Sequence, residues 1–285
     1  MVHIYITFSS NSGFIQATLN QTIVERLIYD GGVICMNFSN CKLAKTRYSG
    51  INGKKIAVYY NNEIYMLKFN MVYQEYLGCK IYESVGIPTQ EVILGKYRGK
   101  PVIACKDFRK YSEELCDFIS IKNTVLDVGY NNFELDEILE TIRKQRLIDI
   151  DLLEKRFWDM FIIDALINNC NRHCGDWGIV VDRSNWEVRL APVYDCGSSF
   201  TYNGYSRMKI NNKSIKYSEF ILSLDYDGCN EALKRVVPKI DLDYINSIID
   251  NMPIDNKQIY KELLKNRKEN ILDCALSKLQ LNQMP

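Results

Sequence analysis

The stretch NRHCGDWG, residues 171–178, places an arginine, a histidine and a carboxylate in one short turn. It follows RFWDMFIIDALINN, which is apolar on nearly every side and therefore predicts a central helix that delivers the turn to a fixed position. A second carboxylate, Asp195, comes after the apolar run LAPVY and before a glycine. Two carboxylates on turns that bracket one hairpin, Asp176 and Asp195, are the hard oxygen ligands that a magnesium–phosphate site requires. The alternative for Asp195 is an ordinary Asp-Cys-Gly turn.

Lys68 and Glu75 occupy positions where a charge is costly. In the extended run IYMLKF, alternation places Lys68 on the same face as Ile64 and Met66, and neither face is polar enough to lie in solvent. Glu75 falls within an apolar helical stripe made of Val72, Tyr76, Cys79 and Tyr82. The two charges could therefore pair, either in a functional site or as a structural ion pair. A lysine that snorkels at a sheet edge is the remaining alternative.

The segment SGINGKK, residues 49–55, carries two glycines and two lysines just before a strand. Backbone N–H groups in such a loop can cradle a phosphate. The segment is not a Walker A sequence, and a simple turn is the competing interpretation.

The cysteines near the turn suggest two other chemistries. Cys170, His173, Cys174 and Cys196 could be imagined as zinc ligands, but they lack a CxxC pair, and a histidine beside a cysteine in a sharp turn makes tetrahedral ligation awkward. A cysteine nucleophile activated by His173 is no better supported, because no second group is marked to orient the histidine.

The segments that must position these residues show two kinds of sequence pattern, the first rich in strands and the second mainly helical. A hairpin around Asn61-Asn62 is predicted by KKIAVYYNNEIYMLKF. A helix that stops at Gly86 before Pro88 is predicted by MVYQEYLGCKIYESVG. Two further strands of a small antiparallel sheet are predicted by EVILG and KPVIACKDF. From about residue 110 the pattern is helical, in SEELCDFISIK, ELDEILETIRKQR and DLLEKRFWDMFIIDALINN. One hairpin, WGIVVDRSNWEVRLAPVYD, interrupts it before helix resumes to the end. The sequence therefore predicts an α+β fold with a small sheet lobe and a larger, mainly helical lobe.

Composition narrows the function classes. The chain has 285 residues, 47% of them hydrophobic, and a net charge of +1, which gives no bulk attraction to nucleic acid or to an anionic membrane. No run approaches the ~18 apolar residues of a membrane span, and the start lacks the features of a signal peptide. We therefore expect a soluble, cytoplasmic protein, with secretion by a non-classical route left open. The ten cysteines are scattered through apolar segments, which favours reduced, buried thiols.

The order of these parts resembles the HipA-like serine/threonine kinases, in particular their compact single-chain bacterial members, and beyond them the phosphoinositide-kinase-like fold. The parts are the glycine-containing loop, the lysine of YMLKF, the glutamate of VYQEYLGCKIYESVGIP, the strand VIACKDF, a loop of the (D)RHxGNWG type and LAPVYDCGSS. The likeness covers roughly residues 34–270. It implies a bilobal kinase fold, with an N-lobe at 1–108, of which about 34–108 match, and a C-lobe at 109–285.

The resemblance also implies an enzyme that uses ATP and magnesium. Lys68 would contact the α- and β-phosphates, Glu75 would hold Lys68, and residues 104–108 would be the hinge at the adenine. The implied nucleotide-binding residues are Ser49, Gly50, Asn52, Gly53, Lys54, Lys68, Glu75, Ala104, Cys105, Lys106, Asp107 and Phe108. The implied catalytic residues are Asn171, Arg172, His173 and Asp176, and the implied metal ligands are Asp176 and Asp195. Because relatives phosphorylate a serine near the glycine loop, Ser49 is the expected site of autophosphorylation, with Thr46 and Tyr48 as alternatives.

One departure from the family pattern affects the mechanism. Where the loop usually has a catalytic Asp the sequence has Asn171, and where it usually has a metal-binding Asn it has Asp176. An amide cannot act as a general base, so a pseudokinase is an alternative to an active serine/threonine kinase. A toxin with an antitoxin-type partner, and a small-molecule or lipid kinase, also stay open. No direct contact with nucleic acid or membrane is expected, and the protein substrate is not indicated.

Overall fold

The computed structural model of the chain describes residues 2–5, 16–19, 27–30, 33–45, 55–127, 134–201 and 204–282. Its strands are β1 (Val2–Tyr5), β2 (Gln16–Leu19), β3 (Leu27–Asp30), β4 (Val33–Asn37), β5 (Lys55–Tyr60), β6 (Glu63–Lys68), β7 (Val92–Tyr97), β8 (Lys100–Lys106), β9 (Glu113–Asp117), β10 (Gly178–Asp182), β11 (Val188–Leu190), β12 (Arg207–Ile210) and β13 (Lys213–Lys216). Its α-helices are α1 (Val72–Ser84), α2 (Phe118–Leu126), α3 (Leu135–Lys144), α4 (Ile150–Ile167), α5 (Tyr217–Ser223), α6 (Asp227–Val236), α7 (Leu242–Asp250), α8 (Lys257–Arg267) and α9 (Cys274–Leu281).

The small lobe is built on a six-stranded sheet with the strand order β3-β4-β7-β8-β6-β5. The predicted hairpin is confirmed, because Asn61 and Asn62 have φ values of 51° and 63° and form the two-residue connection that joins β5 to β6. The sheet is not wholly antiparallel as predicted, since β4 pairs with β7 in parallel. That pairing joins strands far apart in sequence, which no local pattern announces.

Successive side chains of the sheet strands point to opposite faces, and each face packs into a different apolar core. Tyr65, Leu67, Val102 and Ala104 lie on one face, in a small core of their own. The other face, which includes Met66, Ile103 and Cys105, packs against α1 and belongs to the larger core of the molecule. Lys68 shares this second face, as its spacing predicted.

Helix α1 connects the sheet to the large lobe. A Cβ atom added at Gly78 would lie 2.6 Å from the Cβ of Cys196, so the backbone of α1 rests almost directly on the segment that carries Asp195. Four residues further along α1, the hydroxyl of Tyr82 donates a hydrogen bond of 3.0 Å to the carbonyl of Met160 in α4. The predicted domain boundary at residue 108 stays a prediction.

Helix α4 is the centre of the large lobe, as its apolar sequence predicted. Every residue from Phe157 to Ile167 is buried. The Asp149 side chain caps its first turn by accepting from the Leu152 N–H at 2.8 Å, and Asn168 ends it with a φ of 51°. The helix therefore fixes the start of the loop at residues 171–178.

Two predictions for the large lobe were wrong. Residues 113–117 were expected in a helix but form β9, which pairs antiparallel with β10, and α2 begins only at Phe118. The partner strand overrides the helical propensity of SEELCD. The region after Asp195 was expected to be helical, yet it contains the hairpin β12–β13 with Asn211 and Asn212 at its turn. This is the same Asn-Asn signal as in the first hairpin, and it could have been predicted.

Among the described residues, no helix combines the length and the apolar character that crossing a membrane would require.

The close approach of α1 to Cys196 leads to a stability prediction. At an open helical site, Gly→Ala stabilises by up to ~1 kcal/mol because it reduces the freedom of the unfolded chain. At Gly78 we expect the opposite sign, a loss of about 1–3 kcal/mol, because the new methyl group must push α1 away from Cys196. Urea unfolding of Gly78→Ala, with the exposed Glu83→Ala on the same helix as control, measures it. A Gly78→Ala variant more stable than the parent protein would contradict the packing.

Candidate active site

The Lys68 ammonium joins the small lobe to the large one. Its Nζ lies 3.1 Å from Oε2 of Glu75 on α1 and 2.9 Å from Oδ1 of Asp195 in the large lobe. Although burial alone would lower the pKa of Lys68, the two carboxylates raise it well above its usual value. Burial raises the pKa of Asp195, but the Lys68 charge outweighs this and holds that pKa below its ordinary value. The pairing of Lys68 with Glu75 that the sequence predicted is present, and Asp195 joins it.

Glu75 is enclosed, whereas Asp195 faces the cleft. The Glu75 side chain is 1% exposed and its Oε1 has no hydrogen-bond partner among the described residues, while the Asp195 side chain is 51% exposed. A Cβ added at Gly197 would lie 3.0 Å from Oε2 of Glu75, so the chain after Asp195 presses on the same carboxylate. An ion pair that served structure alone would not require a half-exposed third partner.

Arg172 is the most heavily bonded side chain of the loop. Its Nε and Nη2 donate to the two carboxylate oxygens of Asp164 in α4, at 2.7 Å and 3.2 Å. Its Nη1 donates to the carbonyls of Asp176, at 3.1 Å, and Tyr194, at 2.7 Å. Both charged side chains of the Arg172–Asp164 pair are 1% exposed. The guanidinium thus holds α4, the loop and the backbone beside Asp195 at one point.

His173 and Asp176 close the loop on itself. The backbone N–H of His173 donates to Oδ2 of Asp176 at 3.2 Å, and the N–H of Gly175 donates to Nδ1 of His173 at 3.1 Å. Since Nδ1 accepts, the network places the imidazole proton on Nε2, which lies 3.4 Å from Oδ2 of Asp176. Burial lowers the pKa of His173, so the ring is neutral near pH 7.

The ionised form of Asp176 is poorly compensated by the surrounding protein. Burial raises its pKa to about 7; the charge of Arg172 works against this rise, and the nearby charge of Asp195 adds to it. The two carboxylates therefore lie within each other's electrostatic field. Of these two carboxylates Lys68 contacts only that of Asp195, and the Asp176 carboxylate forms no ion pair with a lysine or an arginine among the described residues. An oxygen donor set with this deficit fits a hard divalent cation such as magnesium.

The zinc alternative finds no support in the geometry. No group of three or more His, Cys, Asp and Glu residues that could hold a metal ion occurs in the part of the chain that the structure describes. Cys196 lies 3.7 Å from Nη2 of Arg172, and burial raises the pKa of the Cys174 thiol to about 12. The Cys174 thiol is therefore not in an environment that favours the thiolate a zinc ligand or a nucleophile requires.

Asn171 differs from the other loop residues because it is exposed. Its backbone N–H donates to Oδ1 of Asn169 at 3.3 Å, and its side chain has no hydrogen-bond partner among the described residues. The amide group is therefore available to an incoming molecule.

The predicted hinge connects β8 to the large lobe. Ala104 and Cys105 are buried within the sheet, whereas the Lys106 Nζ pairs with Glu63 at 3.3 Å and the Asp107 carboxylate pairs with Arg109. The Phe108 ring lies 5.8 Å from the ring of Tyr194, the residue before Asp195. The segment thus reaches the site through its backbone and Phe108, while the side chains of Lys106 and Asp107 are engaged in ion pairs.

The glycine-containing loop cannot be placed in this picture. Ser49, Gly50, Asn52, Gly53 and Lys54, with Thr46 and Tyr48, lie outside the described residues, so their roles stay predictions.

Three residues of the site were missed from the sequence. Asp164 binds Arg172, and the Asn169 side chain donates to Asp164 at 3.0 Å. Asn168 uses its whole amide, donating to the carbonyls of Thr201 and Gly204 and accepting from Ser206. A carboxylate inside an otherwise apolar helix was a signal that Asp164 has a buried cationic partner.

These features define a bilobal protein of the kinase-like class, with a lysine–glutamate pair facing two carboxylates. The crystal structure of a Helicobacter pylori proinflammatory kinase CtkA superposes with a TM-score of 0.83 at 33% identity, covering 88% of this chain and 99% of that one. The curated serine/threonine-protein kinase CtkA of Helicobacter pylori is 36% identical over 284 residues, 84% of this chain and 87% of the relative.

HipA in a Shewanella oneidensis toxin–antitoxin complex with HipB and operator DNA has a TM-score of 0.60 at 16% identity, covering 81% of this chain and 67% of HipA. That similarity shows a shared fold. The family model of the HipA-like C-terminal domain matches residues 46–254. The chain belongs to this family.

The raised pKa of Asp176 predicts a pH-dependent stability. The group is protonated in the folded state up to about pH 7 but ionises near pH 4 when unfolded, so its stabilising contribution is lost as pH rises through this window. Asp176→Asn cannot ionise. We therefore expect its stability relative to the parent protein, without added metal, to increase by about 2–3 kcal/mol between roughly pH 5 and pH 8.

Urea unfolding of both proteins at the two pH values checks this. The same difference at both pH values would show that Asp176 does not titrate in this range.

Proposed function

We propose that the chain is an ATP- and magnesium-dependent protein serine/threonine kinase. The observation that carries the proposal is the Lys68 ammonium, which bridges Glu75 and the half-exposed Asp195 at 3.1 Å and 2.9 Å. The 36% identity with a serine/threonine-protein kinase supports the same reaction here. The acceptor is taken to be a protein.

Lys68 would bind the phosphates of ATP, and Glu75 keeps its ammonium pointed into the cleft. Asp176 and Asp195 would hold magnesium, which neutralises phosphate charge and aligns the transferred group in such reactions. Arg172 fixes the backbone on which both carboxylates are carried, since it bonds the Asp176 and Tyr194 carbonyls. The protein's contribution is therefore mainly positioning and charge, which supply most of the catalysis in phosphoryl transfer.

Asn171 stands where the family pattern has the base. Its exposed amide can accept a hydrogen bond from an acceptor hydroxyl and orient it, but it cannot take up the proton. General-base assistance is typically worth ~10²–10⁴ in rate, so we expect a slow kinase.

A pseudokinase is the second candidate, and Asn171 is the observation that favours it. In this case Mg-ATP would bind and phosphoryl transfer would be absent. The toxin alternative, with an antitoxin-type partner, has only the shared fold of HipA in its favour, and we do not adopt it.

Nucleotide binding can be separated from structural stability at Lys68. Lys68→Met leaves the buried Glu75 charge unpaired and should cost about 3–5 kcal/mol of stability, whatever the function. Adding Glu75→Gln removes that charge, so the double variant should recover most of the loss. We expect both variants to lack the thermal stabilisation that Mg-ATP should give the parent protein, with Lys80→Met at a partly exposed position of α1 as the matched control.

A double variant that is stable and still stabilised by Mg-ATP would show that the ion pair is structural.

In Asp195→Ala we expect the response to Mg-ATP to fall far more than the response to ATP alone, because the carboxylate would act through the metal.

Activity itself can be tested by restoring the family pattern. We expect slow phosphoryl transfer from labelled ATP with magnesium, an increase in Asn171→Asp, and loss in Asp176→Ala. Mass spectrometry of the products identifies the phosphorylated residues. Activity seen only after Asn171→Asp would establish the pseudokinase. Absence of both activity and Mg-ATP binding in all forms would remove the kinase proposal.

A further inference from the structure

Arg267 is the last residue of α8. Its half-buried guanidinium lies against the last turn of α4, the helix that leads into the loop at residues 171–178. Its Nε donates to the carbonyl of Ala165, in the last turn of α4, at 2.5 Å. A cation at this end of a helix interacts favourably with the helix dipole, and the hydrogen bond fixes the orientation of the guanidinium. The two Nη groups donate to no residue in the part of the chain that the structure describes.

The charge of Arg267 has no acidic partner there either. Other partly or fully buried arginines bind carboxylates: Arg172 binds Asp164, Arg109 binds Asp107 and Arg235 binds Asp159. Arg156 also bonds only a carbonyl, that of Ala191, but Asp159 lies within its electrostatic field.

Burial lowers the pKa of Arg267 to about 10, and the titratable groups that act on it are the Cys170 thiol and the Tyr205 phenol rather than a carboxylate. A cation withdrawn from water without a counter-ion is costly, which suggests that an external anion completes this environment.

Arg267 lies close to Cys170, the neighbour in sequence of Asn171, and Asn171 is the residue proposed to orient the acceptor hydroxyl. Cys170 directly precedes Asn171, and its N–H donates to the carbonyl of Ser198 at 3.1 Å. Tyr205 lies in the segment downstream of Asp195 that the Asn168 amide holds through Thr201, Gly204 and Ser206. The loop and this segment therefore meet next to the guanidinium.

Two further features are consistent with a binding site. The Nζ of Lys216 lies 4.6 Å from the centre of the Tyr205 ring and pairs with Glu219 at 3.4 Å, so a second, already paired cation lies in the region. Residues 268–273, directly after Arg267, form π-helical turns, a rare conformation that is frequent at functional sites. Arg267 also lies beyond residues 46–254, the part matched by the family model.

We propose that Arg267 is a specificity-determining residue that binds a side-chain carboxylate of the acceptor protein close to the hydroxyl to be phosphorylated. This inference rests on the proposed kinase function. A carboxylate suits the two unused Nη groups, because a planar guanidinium can offer paired N–H donors to both oxygens. The second source of an anion is a phosphate on Thr201 or Tyr205 of the chain itself.

The test measures peptide binding to the full chain without requiring turnover. The probes are two fluorescein-labelled serine peptides, one with aspartates flanking the serine and one with alanines at the same positions. We expect the parent protein to bind the acidic peptide about tenfold more tightly, as a charge-assisted pair predicts. Arg267→Gln should remove this preference, Arg267→Lys should keep part of it, and Arg156→Gln, the other half-buried arginine held to a carbonyl, should leave it unchanged.

Mg-ATP thermal shifts and urea unfolding of the same variants separate the possible failures. Equal binding of the two peptides by the parent protein, or an acidic preference retained in a folded Arg267→Gln, overturns the proposal. A phosphosite map that finds phosphate on Thr201 or Tyr205, with acidic binding gained only after phosphatase treatment, assigns the guanidinium to the chain's own segment and also overturns it. An Arg267-dependent preference without any Mg-ATP shift keeps the acidic site and rejects the kinase function.

Discussion

The buried guanidinium of Arg172 is the constraint on which the rest of the site depends. It binds Asp164 in the central helix through two hydrogen bonds and also bonds the carbonyls of Asp176 and Tyr194. Asp176 and Asp195 are therefore attached to backbone that one side chain holds in place. Because the Arg172–Asp164 pair is almost fully buried, losing either member would strand a charge in the core. The separation of the two carboxylates is in this way tied to the stability of the large lobe.

Helix α1 supplies the second constraint. It carries Glu75, which orients Lys68, and at Gly78 it rests on Cys196 next to Asp195. A shift of α1 would consequently alter the lysine and the Asp195 segment together. The charges in the cleft balance only partly, since Lys68 compensates Asp195 while Asp176 retains a raised pKa. A cation bound near Asp176 would stabilise the ionised form of this carboxylate, which agrees with the proposed use of magnesium.

The local features of the fold followed from the sequence, and the features that depend on distant partners did not. Asn61-Asn62, the helix stop at Gly86 and the apolar residues of α4 act within a few positions, so their patterns were sufficient. Strand β9 forms because β10, about sixty residues later, offers it a partner. The Lys68–Glu75 pair was predicted because both residues interrupt apolar faces. Arg267 was not, because the charged sequence KNRKEN around it is typical of a solvent-exposed helix.

The exchange of side chains at positions 171 and 176 moves the ionisable group of the loop from an exposed site to a buried one. Asn171 is exposed and its amide has no hydrogen-bond partner in the described part of the chain, so a carboxylate there would be solvated and charged at neutral pH. Asp176 is buried beside His173, and its charged form is costly unless a cation lies close to it. If Asp176 holds magnesium as proposed, a proton and the metal ion would compete for the same carboxylate near pH 7. An asparagine at this position, as in the family pattern, would bind a metal without such competition, so under the proposed function the exchange would couple metal occupancy to pH in this chain.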